Sequence, residues 1–394
     1  MDFQLSEDQL VTQKWVREFA EREIRPVASR YDEAEEFPWP VLARAAEVGL
    51  YSPAFYLETV AGDPSGLMLP LSMEETCWGC AGISLAIWGT GLPLSALVYS
   101  GTPDQLARWI PEMFGTAEQP ATAALAVTEP DAGSDVSALR TTARRDGDEW
   151  VLNGTKVFIT NGGIAAVHIV VATVDPSLGH RGQAAFIVGP GTPGLRQGKK
   201  ERKLGIRASH TAEVVLQDCR IPLHDVVGGP ERLEQRLTST RPAPTASSAA
   251  LKTFEMTRPM VAAQAIGIAR AAFEFSRDYA RERRQFGRPI AEQQAIAFKL
   301  ADMATEIDAA RLLTYRAAWL ARNGSMERAE GSMSKLKAGE TAVWVTEQAV
   351  QILGGYGYVK DFPVEKWYRD AKIYTIFEGT SEIQRIVISR ALAG

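Results

Sequence analysis

Hydrophobic positions fall into three regimes along the chain. In the first third they recur at helical spacing. Leu10, Trp15, Phe19 and Ile24 fall near helical spacing, in a helix that Ser6 is placed to cap ahead of the turn Glu7-Asp8-Gln9. Pro38 and Pro40 interrupt the pattern, helix resumes over residues 41–48 up to Gly49, and residues 105–114 give a further short helix. Residues 76–103 carry no charge, a stretch long enough to cross a bilayer. Gly89-Thr90-Gly91 followed by Pro93 cuts it into two pieces, each too short to span. The pattern therefore predicts two buried helices and no membrane insertion.

The middle of the chain changes period. Residues 149–152 and 156–160 are β-rich runs, and Asn153-Gly154 between them reads as a hairpin turn. Residues 167–174, 184–188 and 213–216 are further strands, and the small-residue run 121–127 opens the sheet. The polar stretch 231–248 ends rich in Pro, Ser, Thr and Ala and reads as a loop. Beyond Leu251 the helical period returns. Ile296, Leu300, Met303, Ile307, Ala310, Thr314 and Ala317 step by fours and threes, the stripe of a bundle helix, and residues 258–284 and 334–353 give two more long helices. The fold class is α+β, mostly α. An N-terminal helical domain covers 1–121, a central antiparallel β-domain 122–230, and a C-terminal four-helix bundle 231–394, with 231–250 a loop insertion.

Charge and cysteine usage narrow the function. The 48 acidic residues outnumber the 43 basic ones, for a net charge of -5, which argues against a nucleic-acid partner. Three cysteines, Cys77, Cys80 and Cys219, leave one unpaired in any disulfide scheme. The N-terminus MDFQLSEDQL has no apolar core, so it reads as neither signal nor transit peptide, and a cytoplasmic protein is expected. Two apparent motifs are set aside. Residues 189–194 match a dinucleotide fingerprint, but prolines and a charged run follow where a helix is required. Cys77 and Cys80 form a half-site with no second pair, and the four histidines show no metal-ligand spacing, so buried helical cysteines and no metal are expected.

Five segments hold the remaining chemistry. AVTEPDAGSDVSALRTTA (126–143) places Gly133-Ser134 where backbone amides can approach a flat polar ligand. VFITNGG (157–163) alternates Phe158 with Thr160, which puts both on one side of the sheet. RERRQFG (281–287) closes a long helix, and QILGGYGY (351–358) and YTIFEGTSEIQR (374–385) follow. Singly, each has a plain reading as a turn, a helix stop or a charged helix start. In this order and at these spacings they resemble the acyl-CoA dehydrogenase family over essentially the whole chain, most closely over 126–163 and from residue 257 onward.

The resemblance implies a three-domain FAD enzyme that desaturates an acyl-CoA thioester between Cα and Cβ. It implies that Glu378, within Phe377-Glu378-Gly379-Thr380, is the base that takes the α-proton, with the β-hydrogen passing as hydride to flavin N5. Some relatives carry the base at the position of Thr257, with glycine at that of Glu378; this chain has the majority pattern. By the same resemblance, Val127, Thr128, Gly133, Ser134, Phe158 and Thr160 face the flavin, with Phe158 where many members have tryptophan. Arg283, Phe286, Gln351 and Gly355 hold the adenosine part of FAD from a neighbouring subunit, and Thr380 and Glu382 approach the cofactor. Trp88, Ser134, Glu255, Arg258, Phe377 and Gly379 face the substrate. Trp88 either closes the acyl pocket, which favours short or branched chains, or turns into the helical core. A shared cofactor implies a homotetramer or homodimer, and the resemblance implies an electron acceptor such as electron-transfer flavoprotein. Between Gly229 and Leu251 the chain is about a dozen residues longer than common members. A flavin oxidase or monooxygenase on the same fold, and a non-catalytic helical scaffold, are the other two readings.

Overall fold

The structure, a computed structural model, describes residues 4–238 and 246–393. Ser6 caps the first helix as its sequence requires. Its Oγ accepts the Gln9 N–H at 3.3 Å, and the Gln9 side chain returns to the Ser6 N–H at 3.0 Å. This starts α1 (Glu7–Phe19), followed by α2 (Ala28–Ala34), α3 (Trp39–Glu47), α4 (Pro53–Leu57), α5 (Met68–Gly79), α6 (Ala81–Trp88), α7 (Gly91–Ser100) and α8 (Pro103–Phe114). The uncharged stretch breaks where its glycines predict. The segment Ala81–Ser100 is apolar and long enough to cross a membrane, but it is interrupted at Gly89-Thr90 and 67% of it is buried inside the protein. Gly91 is required there, because a Cβ would lie 2.6 Å from the Tyr56 ring. Cys77, Cys80 and Cys219 are buried free thiols.

Seven strands form one sheet: β1 (Ala123–Ala126), β2 (Thr142–Asp146), β3 (Glu149–Thr160), β4 (Val167–Thr173), β5 (Gln183–Val188), β6 (Leu195–Lys200) and β7 (Thr211–Pro222). The order is β1-β4-β2-β3-β7-β6, with β5 paired to β4. Two expectations are corrected. The sheet is mixed, not antiparallel throughout: β1 runs parallel to β4, in register Ala123 with Val167, and β2 meets β4 in parallel at Thr142 and Thr173. The small, almost wholly buried residues of β1 suit a parallel strand that is covered although it ends the sheet. Asn153-Gly154 is no turn. β3 runs through it as one strand of 12 residues, and the bulge lies on its partner, where Gln217 and Asp218 of β7 stand opposite Asn153. The extra residue is satisfied locally, since the Asn153 side chain exchanges two hydrogen bonds with Asp218, at 3.1 and 2.8 Å. A Cβ on Gly154 would lie 2.4 Å from Thr141 Oγ1, so the glycine serves a close approach. The hairpin turn is Gly147-Asp148, between β2 and β3, two strands of which the sequence pattern singled out only one.

The C-terminal part begins with α9 (Pro230–Thr238), where a loop insertion was expected. Its residues ERLEQRL place Leu233 and Leu237 one turn apart, and Leu233 packs into the core of the β-sheet. Residues 239–245, the Pro-rich part of that expected loop, lie outside the described residues. Then come α10 (Ala246–Glu282), a two-residue-per-strand hairpin of β8 (Arg284–Gln285) and β9 (Arg288–Pro289), α11 (Gln294–Arg322), α12 (Glu330–Leu353), α13 (Val364–Ala371) and α14 (Ser381–Ala393). Helices α10, α11 and α12 pack on one another and α14 packs on α12. The α11 stripe points inward at Met303, Ile307, Ala310, Thr314 and Ala317, with Ile296 and Leu300 half-buried beside them. Helix α5 joins the N-terminal helices to this bundle through buried charge. Glu74 accepts from both Arg270 and Arg311 at 2.9 Å, and Glu75 accepts from Arg270. Burial opposes ionisation of Glu74, yet the two arginines hold its carboxyl below the usual range.

Candidate active site

Glu378 sits in the turn that opens α14. Its φ is +54° and that of Gly379 is +90°, both left-handed. For a glutamate this backbone costs about 1–3 kcal/mol and needs support from its surroundings. The support comes from two helices. Lys335 Nζ on α12 and Gln384 Nε2 on α14 donate to the Gly379 carbonyl at 2.6 and 2.8 Å, and Gln384 also donates to the Glu378 carbonyl at 3.1 Å. Thr380 Oγ1 accepts the Ile383 N–H at 3.3 Å and starts α14, and exposed Glu382 lies in its first turn. Phe377 stands edge-on to Tyr374 at 5.0 Å. The Glu378 Oε2 is shut off from water and has no hydrogen-bond partner among the described residues. Burial pushes this carboxyl above its ordinary value, against the pull of Lys335 and then Arg258.

Arg258 on α10 is 3% exposed and lies beside the same turn, with Nη2 3.8 Å from where a Gly379 Cβ would stand. It pairs with Glu255 one turn back and donates to Ser332 Oγ at 2.6 Å. Glu255 also accepts the Ser332 N–H at 2.9 Å and its hydroxyl at 2.8 Å. The Glu255 carboxylate is thus engaged within the chain, where it balances Arg258. Gly331 lets α12 come this close, since a Cβ there would fall 2.2 Å from the Glu255 carbonyl oxygen.

The segment after β1 is anchored from beneath. Lys156 Nζ donates to the Val127 carbonyl at 2.9 Å and to Glu129 at 2.7 Å, and the Thr128 carbonyl accepts the Val157 N–H at 2.9 Å. Glu129 accepts two more backbone N–H groups, from Arg140 and Thr141. Gly133 and Ser134 are exposed, and nothing lies within 4 Å of where a Gly133 Cβ would be. Phe158 sits at a bulge on β3 itself, with φ +58°, and is 66% exposed. Val157 and Ile159 are buried, so Phe158 and half-buried Thr160 lie on the open side of the strand. The Lys156–Glu129 pair and Lys335 escaped the sequence reading. A lysine among apolar strand positions was the one available signal for Lys156.

A second group gathers at the far end of the bundle. Arg283, Phe286 and Gly355 line a cleft of about 730 Å³, and Gln351 is exposed next to it on α12. The Arg283 guanidinium lies 5.5 Å from the centre of the Tyr356 ring, and Phe286 is 94% exposed. Along α12, Gln351 is about 24 Å from Lys335, at a rise of roughly 1.5 Å per residue. Trp88 belongs to neither group. Its indole is 3% exposed in the N-terminal core, donates to Thr76 Oγ1 at 2.8 Å and packs edge-on to Tyr56.

Comparison with known proteins decides the family. Residues 6–116, 124–219 and 247–393 match the domains described as "Acyl-CoA dehydrogenase, N-terminal domain", "Acyl-CoA dehydrogenase, middle domain" and "Acyl-CoA dehydrogenase, C-terminal domain". The chain is 41% identical over 388 residues to the short-chain specific acyl-CoA dehydrogenase, mitochondrial, of Bos taurus, an alignment that covers 98% of this chain and 90% of that one. The chain belongs to the acyl-CoA dehydrogenase family. Butyryl-CoA dehydrogenase of Megasphaera elsdenii superposes with a TM-score of 0.89 at 36% identity, covering 100% of both chains. A chain of the structure described as "Electron transferring flavoprotein of Acidaminococcus fermentans" superposes at 0.88 and 38% identity, covering 100% of this chain and 99% of that one. The protein is therefore an FAD-dependent oxidoreductase that dehydrogenates an acyl-CoA thioester. The residues present fit that cofactor. The open backbone at Gly133, the exposed ring of Phe158 and the cleft at Arg283 and Phe286 offer a flat polar cradle and a cationic pocket.

Proposed function

We propose that this acyl-CoA dehydrogenase acts on short-chain thioesters, with Glu378 as the base. The carrying observation is the buried, unpartnered Oε2 of a carboxyl held in a left-handed turn. An unsatisfied buried acceptor is costly unless something else pairs with it, and an acidic C–H of a bound substrate would do so. Glu378 takes the α-proton, and the electrons of that C–H bond move into the enolate of the thioester. Among the described residues no acceptor takes the Glu378 backbone N–H, which leaves it free to donate to the developing oxyanion. When bound, FAD supplies the two-electron acceptor for the β-hydrogen, which leaves as hydride. Burial raises the basicity of Glu378 toward its task and excludes water from the proton transfer. Arg258 draws the carboxyl down less than Lys335 does, and Glu255 pairs with it.

Val127, Thr128, Gly133, Ser134, Phe158 and Thr160 would hold the flavin end of the cofactor, with Thr380 and Glu382 beside it. Arg283, Phe286, Gln351 and Gly355 would hold the adenosine end for a neighbouring copy of the chain. The exposure of Phe286 and the distance along α12 favour this shared arrangement. A second apolar row, Phe298, Leu312 and Trp319, lies exposed on α11 at multiples of seven residues and suits a further contact between copies in a homotetramer. The names of the short-chain relatives support butyryl-sized substrates, and the flavoprotein structure supports an electron-transfer flavoprotein as acceptor. A cytoplasmic role in fatty acid metabolism goes with this reading. The test is anaerobic addition of butyryl-CoA to purified holoenzyme. Flavin bleaching is expected in the wild type and not in Glu378→Gln, and equal bleaching in both would move the base elsewhere.

A further inference from the structure

Lys335 is a buried cation that the reaction as described does not use. It is 1% exposed, it lies on α12, and its Nζ donates to the Gly379 carbonyl at 2.6 Å. Among the described residues it forms no salt bridge with a carboxylate. A buried ammonium bound to a neutral carbonyl pays a desolvation cost that no ion pair returns. If the position needed only packing, an apolar side chain would serve better. The neighbouring cation differs, because Arg258 is compensated by Glu255 in contact with it. Lys335 is therefore the uncompensated charge beside the turn that carries Glu378.

We propose that Lys335 is a positioning residue for the base: its ammonium fixes the Gly379 carbonyl and supplies the field in which Glu378 ionises. This rests on the reading of Glu378 as the base. The charged groups that act on Lys335 are Glu378, Arg258 and Glu382, and Glu378 is the foremost of them. Burial pulls Lys335 down to about 8, while Glu378 pulls it back up. In turn Lys335 is the foremost charge drawing Glu378 down against burial. Removing the charge releases Glu378 toward a still higher value. Removing the bond as well frees one of the two donors that hold the left-handed turn.

The experiment compares Lys335→Gln, Lys335→Met and Lys335→Arg in the FAD-loaded enzyme. Infrared difference titration follows the protonated carboxyl band of Glu378, assigned by its loss in Glu378→Gln. The rate of flavin reduction by saturating butyryl-CoA is measured against pH in parallel. Without the charge, in Lys335→Gln and Lys335→Met, the Glu378 midpoint should rise by about one pH unit or more, a tenfold change in proton affinity. The acid limb of the reduction rate should follow it, while Lys335→Arg stays within a few tenths of a unit. An unchanged midpoint in Lys335→Gln overturns the proposal, as does an equal shift in Lys335→Arg. If Lys335→Met fails to fold, Lys335→Gln alone decides. A normal reduction rate in Glu378→Gln overturns the base reading only, since the infrared midpoint still tests Lys335.

Discussion

The Glu378 turn and the Arg283 cleft stand at opposite ends of α12, and they differ in how much of each one chain supplies. At the first, helices α10, α12 and α14 of the same chain provide every group, and the side chains are paired, buried or shut off from water. At the second, the aromatic ring of Phe286 and the backbone at Gly355 face open space. Proton abstraction needs a dry, pre-set base, and a chain can build that alone by burying it. Holding a long cofactor needs reach, which a second copy provides more cheaply than a longer chain. On the proposed reading, the two ends of one helix carry two kinds of dependence, one on internal packing and one on assembly.

Four measurements would break or sharpen this contrast. The largest effect is expected at the enclosed end. Glu378→Gln should lower the rate of flavin reduction by ~10²–10⁴-fold while leaving FAD bound, the range of a positioned general base. Stopped-flow reduction together with the flavin spectrum checks both parts.

Next comes the N-terminal core, which belongs to neither end. Trp88→Ala removes an indole packed on Tyr56 and bonded to Thr76, and should cost about 3–5 kcal/mol of stability in a denaturant titration. The proposed preference for butyryl over octanoyl thioesters should remain. A stable variant that prefers longer chains would instead make the indole the end of the acyl pocket.

At the open end, Arg283→Ala should leave folding stability within about 0.5 kcal/mol, because the side chain is exposed. It should weaken FAD retention by about tenfold to a hundredfold, the worth of one charge-assisted hydrogen bond. Filtration assays for FAD with sedimentation for assembly separate the two readouts. A loss of folding stability without a loss of FAD would end the contrast.

The smallest effect concerns pH. In the proposed role Glu378 takes a proton only when ionised, so flavin reduction should be off at low pH and rise through a midpoint above the ordinary carboxylate value. The same raised value means that Glu378 contributes stability below its unfolded pKa and loses it as pH rises through the folded one. Glu378→Gln should therefore melt slightly higher than the wild type at neutral pH, and lose that advantage in acid. Thermal scans across pH test the sign.

The sequence by itself determined the helix, sheet and helix order, the cap at Ser6, the break at Gly89-Thr90-Gly91 and the inward stripe of α11. These are local matters: spacing, capping and small-residue punctuation act within a few residues. Motif spacing also led to the family and to the turn around Glu378. What tertiary structure decided is of another kind. Asn153-Gly154 carries a turn signature, but pairing with β7 outweighs local preference and keeps it in the strand, opposite a bulge of β7. The parallel pairing of β1 with β4 depends on where distant strands meet. A polar run became α9 because Leu233 found an apolar surface on the sheet. Lys156 and Lys335 read in the chain as ordinary charged residues. Their meaning comes from partners 27 and 44 positions away, Glu129 and Gly379, which only folding brings within hydrogen-bonding distance.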